Sequence, residues 1–335
     1  MKPAQVTSHE DAQPLALVRL ADPPEETADL TECWALTDRH GQATFQGLRS
    51  AMALAGSADA YVEPDELEYA ETGGAAEVAP EVKDTDRYEA AAEAAFAEIF
   101  ERTTACGPEG YPFCTTPGRI AARKLAIDSA YAFMLLLSRF GPNAGPEPNQ
   151  GAKLFEELCA SALRTFLGGP GGLAAAHVFG FPRRVDHTGF ASALDELCAR
   201  MDEGDGHRTR PKTSSQKDAK LDVVAWKAFP DGKKGKLIIF GQCATGQDWK
   251  DKRGELSATE NWCSSWMKDR PYVWPVRAFF APHRVPRDEW FHTCANGGLL
   301  FDRCRIACHC CRLPDALGQS LAQWSSHVCQ DQRAH

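Results

Sequence analysis

The amino-acid sequence predicts an α/β protein built in two parts, and three observations carry that prediction. The run Gly-Pro-Asn-Ala-Gly-Pro-Glu-Pro-Asn-Gln-Gly at 141–151 can hold neither helix nor strand, because proline removes a backbone donor and glycine adds freedom. It divides the 335 residues into a mostly helical region, 1–145, and a second domain, 146–335, each near the usual domain size of about 100 to 200 residues. Before the break the regular segments read as helix. After it, helical and β-rich segments alternate, the pattern of an α/β domain.

Taken in order, residues 1–86 are acidic and weakly periodic, with Pro23, Pro24, Gly73 and Gly74 as breakers, and define no element. Tyr88–Arg102 is rich in Ala and Glu and predicts a helix; Arg119–Phe140 is a second helix candidate with an apolar second half. Ala152–Phe166 sets Leu154, Phe155, Leu158, Ala162 and Phe166 at helical spacing, and Gly168-Gly169-Pro170 ends it. Ala175–Phe181 reads as a short strand, Phe190–Met201 as a helix with Leu194, Leu197 and Cys198 on one side, and Asp202–Gln216 as a polar loop. Leu221–Phe229 and Lys236–Cys243 are β-rich and flank Pro230-Asp231-Gly232-Lys233, which predicts a hairpin. A helix over Glu260–Met267, a strand over Val276–Ala281, a helix over Asp288–Ala295 and a strand over Leu299–Cys308 complete the series.

Composition narrows the class. With 43% hydrophobic and 25% charged residues the chain is neither disordered nor filamentous. No apolar run approaches the roughly 18 residues of a bilayer span, and the first 30 residues carry acids and prolines instead of a basic stretch followed by an apolar one. The expectation is a cytoplasmic protein. An odd count of 13 cysteines without an export signal predicts reduced thiols, with a metal site as the alternative. A net charge of −9 gives no general attraction to nucleic acid, so any polyanion must meet a local basic patch. The sequence holds one: Arg208, Arg210, Lys212, Lys217 and Lys220 stand against only Asp218.

The hairpin fixes which residues meet. A turn centred near Gly232 puts Asp222 opposite Gln242 and Lys220 opposite Ala244, with all four side chains on one side of the sheet. An acid, an amide and an amine then gather at the open end of one hairpin, beside the basic loop. A register slip of one residue would rotate the set apart.

At these residues the sequence resembles the PD-(D/E)XK nuclease superfamily. The stretch Gly151-Ala152-Lys153-Leu154-Phe155-Glu156-Glu157-Leu158 looks like that family's first helix, Leu221-Asp222-Val223-Val224-Ala225-Trp226 like its second strand, and Leu237-Ile238-Ile239-Phe240-Gly241-Gln242-Cys243-Ala244 like its third. The resemblance covers about 150–310. It implies a restriction-endonuclease-like mixed sheet flanked by helices, with the order helix, three-stranded meander, helix, strand. It further implies Glu156, Asp222 and Gln242 as ligands of Mg²⁺ or Mn²⁺, and hydrolysis of nucleic-acid phosphodiesters, DNA before RNA. The family's lysine falls on Ala244, so its role passes to Lys220, Lys252 or Lys250, with Lys220 and Lys252 ahead. Carboxylate-bound Mg²⁺ neutralises phosphoryl oxygens and supplies a nucleophilic water, which a lysine orients. Arg208, Arg210, Lys212 and Lys217 would bind the phosphates. Bacterial restriction or anti-phage defence is the context the resemblance implies, with a homo-oligomer or a defence-system protein as further partners.

Each residue also has a plainer reading. Glu156 or Glu157 fits a solvated helical acid, Asp222 a strand end, Gln242 beside Gly241 a strand terminus, and the basic loop a solvated surface. The alternative function is a catalytically degenerate nuclease fold that binds nucleic acid or a protein. A third is a zinc-stabilised module on Cys304, Cys308, Cys310 and Cys311, with His309, His292 and Cys294. Zinc modules ordinarily show two separated Cys-x-x-Cys pairs, which this segment does not supply, and as a strand it would set Cys304, Cys308 and Cys310 on one buried face. Trp249, Trp262 and Trp266 could stack on bases, but at this spacing they read as core.

Overall fold

The computed structural model describes residues 22–59, 81–169, 172–180, 189–209 and 219–334. Two compact units emerge, 1–104 with 113–126, and 105–112 with 127–335.

The first unit contains α1 (Pro24–Thr37), β1 (Gln42–Thr44), α2 (Phe45–Asp59), α3 (Glu81–Ala105), β2 (Phe113–Thr116) and β3 (Arg119–Ala122). Leu30, Leu48, Met52, Ala92, Ala95 and Phe96 form its core, so the helix expected over Tyr88–Arg102 is present within α3 and buries a face bearing Ala92, Ala95 and Phe96. Its three strands form an antiparallel sheet in the order β1-β3-β2, an element that a mostly helical expectation did not include. The helix expected over Arg119–Phe140 is corrected here. Residues 119–122 are strand β3, with Ile120 buried, and Leu125 adopts a left-handed φ of 63°, which a continuous helix forbids.

The second unit begins with α4 (Gly107–Gly110) and α5 (Ala130–Phe140). Ser129 caps α5 by accepting the Ala132 amide at 3.1 Å, and Gly141 ends it at φ 83°. The units therefore divide earlier than the Gly/Pro run. Every residue of α5 from Ala130 to Ser138 is buried, and the helix packs with α11 (Arg303–His309) and α12 (Asp315–Ala334), so 141–149 is a connection inside the second unit.

Then follow α6 (Gln150–Phe166), β4 (Ala174–Val178), α7 (Phe190–Met201), β5 (Val223–Lys227), β6 (Leu237–Cys243), α8 (Trp249–Lys252), α9 (Thr259–Trp266), β7 (Val276–Phe280), α10 (Arg287–Gly297) and β8 (Leu299–Phe301). The sheet runs β4-β5-β6-β7-β8; β4, β5 and β6 are antiparallel neighbours, and β6, β7 and β8 are parallel. It is a mixed sheet flanked by helices. Alternation assigns its faces: Val224, Trp226, Ile238 and Phe240 pack with Phe190, Leu194 and Leu197 of α7 and Trp262 of α9. On the other face Phe280 stacks on Phe301, which meets Phe166 of α6 edge-on.

The hairpin has the expected register. Val223 pairs with Gly241 and Lys227 with Leu237, which carries on to Asp222 opposite Gln242. The strand expected over Leu299–Cys308 stops at Phe301. Asp302 caps a helix there, its carboxylate accepting the Arg305 amide at 3.0 Å, so Cys304 and Cys308 lie on α11 and share no strand face. Of the tryptophans, Trp249 and Trp262 are buried and Trp266 is half-buried against Phe190.

Candidate active site

Helix α6 buries Leu154, Phe155, Leu158, Cys159 and Ala162 and leaves Glu156 half-buried at the edge of that stripe. Its carboxylate lies against the end of β4. A β-carbon added to Gly180 would stand 2.5 Å from Glu156 Oε2, so the close approach depends on glycine.

Asp222 reaches the same point from β5. Its carbonyl accepts the amides of Phe179 at 2.7 Å and Gly180 at 3.0 Å, and its own amide donates to the Gly241 carbonyl at 3.0 Å. Its carboxylate Oδ2 accepts the Cys243 amide at 2.7 Å. The Glu156 carboxylate and the Asp222 backbone thus meet around Gly180, brought there by a helix and the start of a strand 66 residues later in the chain. Close to both carboxylates lie the Cys159 and Cys243 thiols, which neighbour each other. Burial pushes both thiols up, Cys243 well up, and the nearby carboxylates of Glu156 and Asp222 push the same way.

Gln242 follows a different path. It is 3% exposed; its Oε1 accepts the Leu256 amide at 3.1 Å and its Nε2 donates to Glu255 Oε2 at 3.3 Å. Lys220 Nζ sits 2.9 Å from the same Glu255 oxygen. The amide and amine therefore do come together, through a carboxylate that no motif or spacing singles out. Glu255 stands in an unpatterned loop after Gly254. The Cys159 and Cys243 pair was also invisible, because each is one thiol among 13 with no motif around it.

The remaining candidates lie apart from Glu156 and Asp222. Lys252 pairs with Asp248 at 2.9 Å, and that bond holds the Asp248 carboxyl below its usual range. Lys250 binds Glu289 at 3.1 Å. Glu289 is held low by Arg253 first and by Lys250. Ala244 packs among Trp249, Phe279, Ala281, Val285 and Leu300, an environment without room for an ammonium. Arg208 donates its amide to Trp266 O at 2.8 Å and its Nε to Met267 O at 3.2 Å; Arg210, Lys212 and Lys217 lie outside the described residues.

A cleft of 660 Å³ opens beside Glu156, walled by α6, the edge strand β4 and α7. Lys153, Arg164, His177 and Arg200 line it together with Glu156, Glu157 and Glu196. Within it Arg200 Nε is tied to Glu196 at 2.6 Å. Among the described residues no group of three or more His, Cys, Asp or Glu side chains is placed to hold a metal ion. The oxygen donors of Glu156 and Asp222 nonetheless suit a hard cation, which ordinarily takes one or two carboxylates and completes its shell with water and substrate phosphate. Comparison of the chain with protein-family models, with curated proteins and with solved structures finds no match.

Proposed function

We propose that the second unit is a metal-dependent nuclease that hydrolyses nucleic-acid phosphodiesters, DNA before RNA, with Glu156 and Asp222 as its central residues. One observation carries the reading: the Glu156 carboxylate and the Asp222 backbone meet at Gly180, at the end of an antiparallel three-stranded meander that follows the helix bearing Glu156. That placement agrees with the resemblance to PD-(D/E)XK nucleases, as do the helix α9 and the further strand β7 that follow the meander.

Glu156 and Asp222 would hold Mg²⁺ or Mn²⁺, which supplies charge neutralisation at the phosphoryl group when bound. Around that centre the chain does the rest. The carboxylate of Asp222 is held still by the Cys243 amide, and Gly180 leaves Glu156 room to approach. Lys153 and Arg164 offer positive charge to a phosphate backbone in the cleft, which Glu157 and Glu196 also line. We place the displaced lysine at Lys220, whose ammonium lies two residues from Asp222 and shares Glu255 with Gln242.

The catalytically degenerate binding module is the second reading. What favours it is that the amide of Gln242 and one oxygen of Asp222 already serve the protein's own backbone, and that Ala244 replaces the lysine. Incubating the purified chain with plasmid and single-stranded DNA and with RNA, in Mg²⁺, Mn²⁺ or chelator, separates the two. Divalent-dependent cleavage that Glu156→Gln removes supports the nuclease, whereas retained binding without cleavage supports the module.

A further inference from the structure

Of the 13 cysteines three are exposed, and two of these, Cys308 and Cys311, occupy a single turn at the C-terminus of α11. The turn is well fixed. Its backbone closes through the Cys310 amide on Ala307 O at 3.1 Å, and Cys310 itself points inward, 5% exposed, with its thiol on Leu158 O of α6 at 3.8 Å. The two flanking thiols are left on the outside. Cys311 Sγ folds back over the turn to within 3.4 Å of Cys308 O and 3.6 Å of Ala307 O. Cys308 Sγ borders Gly107 of α4, 3.8 Å from where a β-carbon would stand. Cys308 and Cys311 stand three residues apart across the helix end, and with Cys311 Sγ already 3.4 Å from the Cys308 carbonyl oxygen, rotamer changes of two exposed side chains can bring the thiols to disulfide distance.

We propose that Cys308 and Cys311 form a reversible intramolecular disulfide, making this turn a redox modification site of the second unit. With hydrogen peroxide as oxidant, one thiol attacks a peroxide oxygen, giving a sulfenic acid and one water. The second thiol attacks the sulfenic sulfur, the S–S bond forms and a second water leaves. Two thiols are oxidised by two electrons, peroxide is reduced by two, and a dithiol reductant reverses the step by exchange. Cys310 is held out of the reaction by burial, and Cys159 and Cys243 by their place beneath the sheet end. The site adjoins the cleft, since Pro314 and Leu317, a few residues on, line the same wall as Glu156. The disulfide itself stands independently of the nuclease reading.

The test is to treat the reduced full-length protein with equimolar peroxide, denature it in N-ethylmaleimide and digest with trypsin. The peptide Ile306–Arg312 carries Cys308, Cys310 and Cys311. It should lose two hydrogens and carry one maleimide, on Cys310, and should carry three maleimides after a dithiol reductant. Cys308→Ser and Cys311→Ser, both at exposed positions, should each abolish the linkage while the protein stays folded by circular dichroism. Three maleimides after peroxide, a bridge to Cys310, a link between chains or a sulfinic acid at one thiol would each overturn the proposal.

Discussion

At the end of β6 two neighbouring residues serve two different clusters. Cys243 lies with the acids: its amide holds Asp222, and its thiol meets Cys159 one helical turn from Glu156. Gln242 points to the other face and ties the 255–256 segment to the sheet, with Lys220 joining through Glu255. In the first cluster the Glu156 carboxylate abuts Gly180 and lines a cleft, while Asp222 holds the Cys243 amide; in the second an acid, an amide and an amine bond one another. The sequence pattern placed Glu156, Asp222, Gln242 and Lys220 in one centre; the bond of Asp222 to the Cys243 amide and the bonds of Gln242 to the 255–256 segment separate them into two.

The separation can be tested by breaking each cluster. The largest effect is expected for Ala244→Lys, the change that would restore the family's lysine. Ala244 is 2% exposed among apolar side chains, so a buried ammonium there should cost about 3 kcal/mol or more, read as a fall in the urea midpoint without gain of activity. Next comes Gly180→Ala. Its backbone is not in the left-handed region and the added methyl meets the mobile end of Glu156, so stability should change by less than about 1 kcal/mol while cleavage falls about 100-fold by displacement of that carboxylate. Unchanged cleavage would remove Glu156 from the site.

Gln242→Ala probes the support. It leaves the Leu256 amide without its acceptor in a buried setting and should cost about 1 to 3 kcal/mol in thermal or urea unfolding. The smallest change in stability belongs to Lys220→Ala, because its ion pair with Glu255 is exposed and pairs of that kind contribute about 1 kcal/mol at most. Cleavage should nevertheless fall about tenfold, the lower end of what a positioned amine supplies, while Lys252→Ala should leave it unchanged. The reverse pattern in a steady-state assay would move the lysine to the segment after β6.

Much of this arrangement was legible because it rests on periodicity. The hairpin register followed from one glycine-bearing turn and alternation, and α7 and α6 followed from apolar spacing with Asp202 and Leu167 at their ends. What escaped depends on single residues acting locally. Asp302 converts an apparent strand into a helix with one side-chain acceptor, and Leu125 breaks an apparent helix by its own backbone angle. Likewise Glu255, reached across a loop by Lys220 and Gln242, has no pattern that composition or spacing would reveal. Burial of Ala244 could be read from its apolar flanks in the fold but not from its place in a family motif.

The most direct test of the account is Asp222→Asn under single-turnover conditions in Mg²⁺. An asparagine oxygen can still accept the Cys243 amide, so the end of the hairpin keeps its geometry while the charge is lost. The account predicts a folded protein with parental stability to within about 1 kcal/mol and cleavage reduced at least about 100-fold. Parental cleavage by this variant would contradict it, leaving Asp222 as a structural acceptor alone.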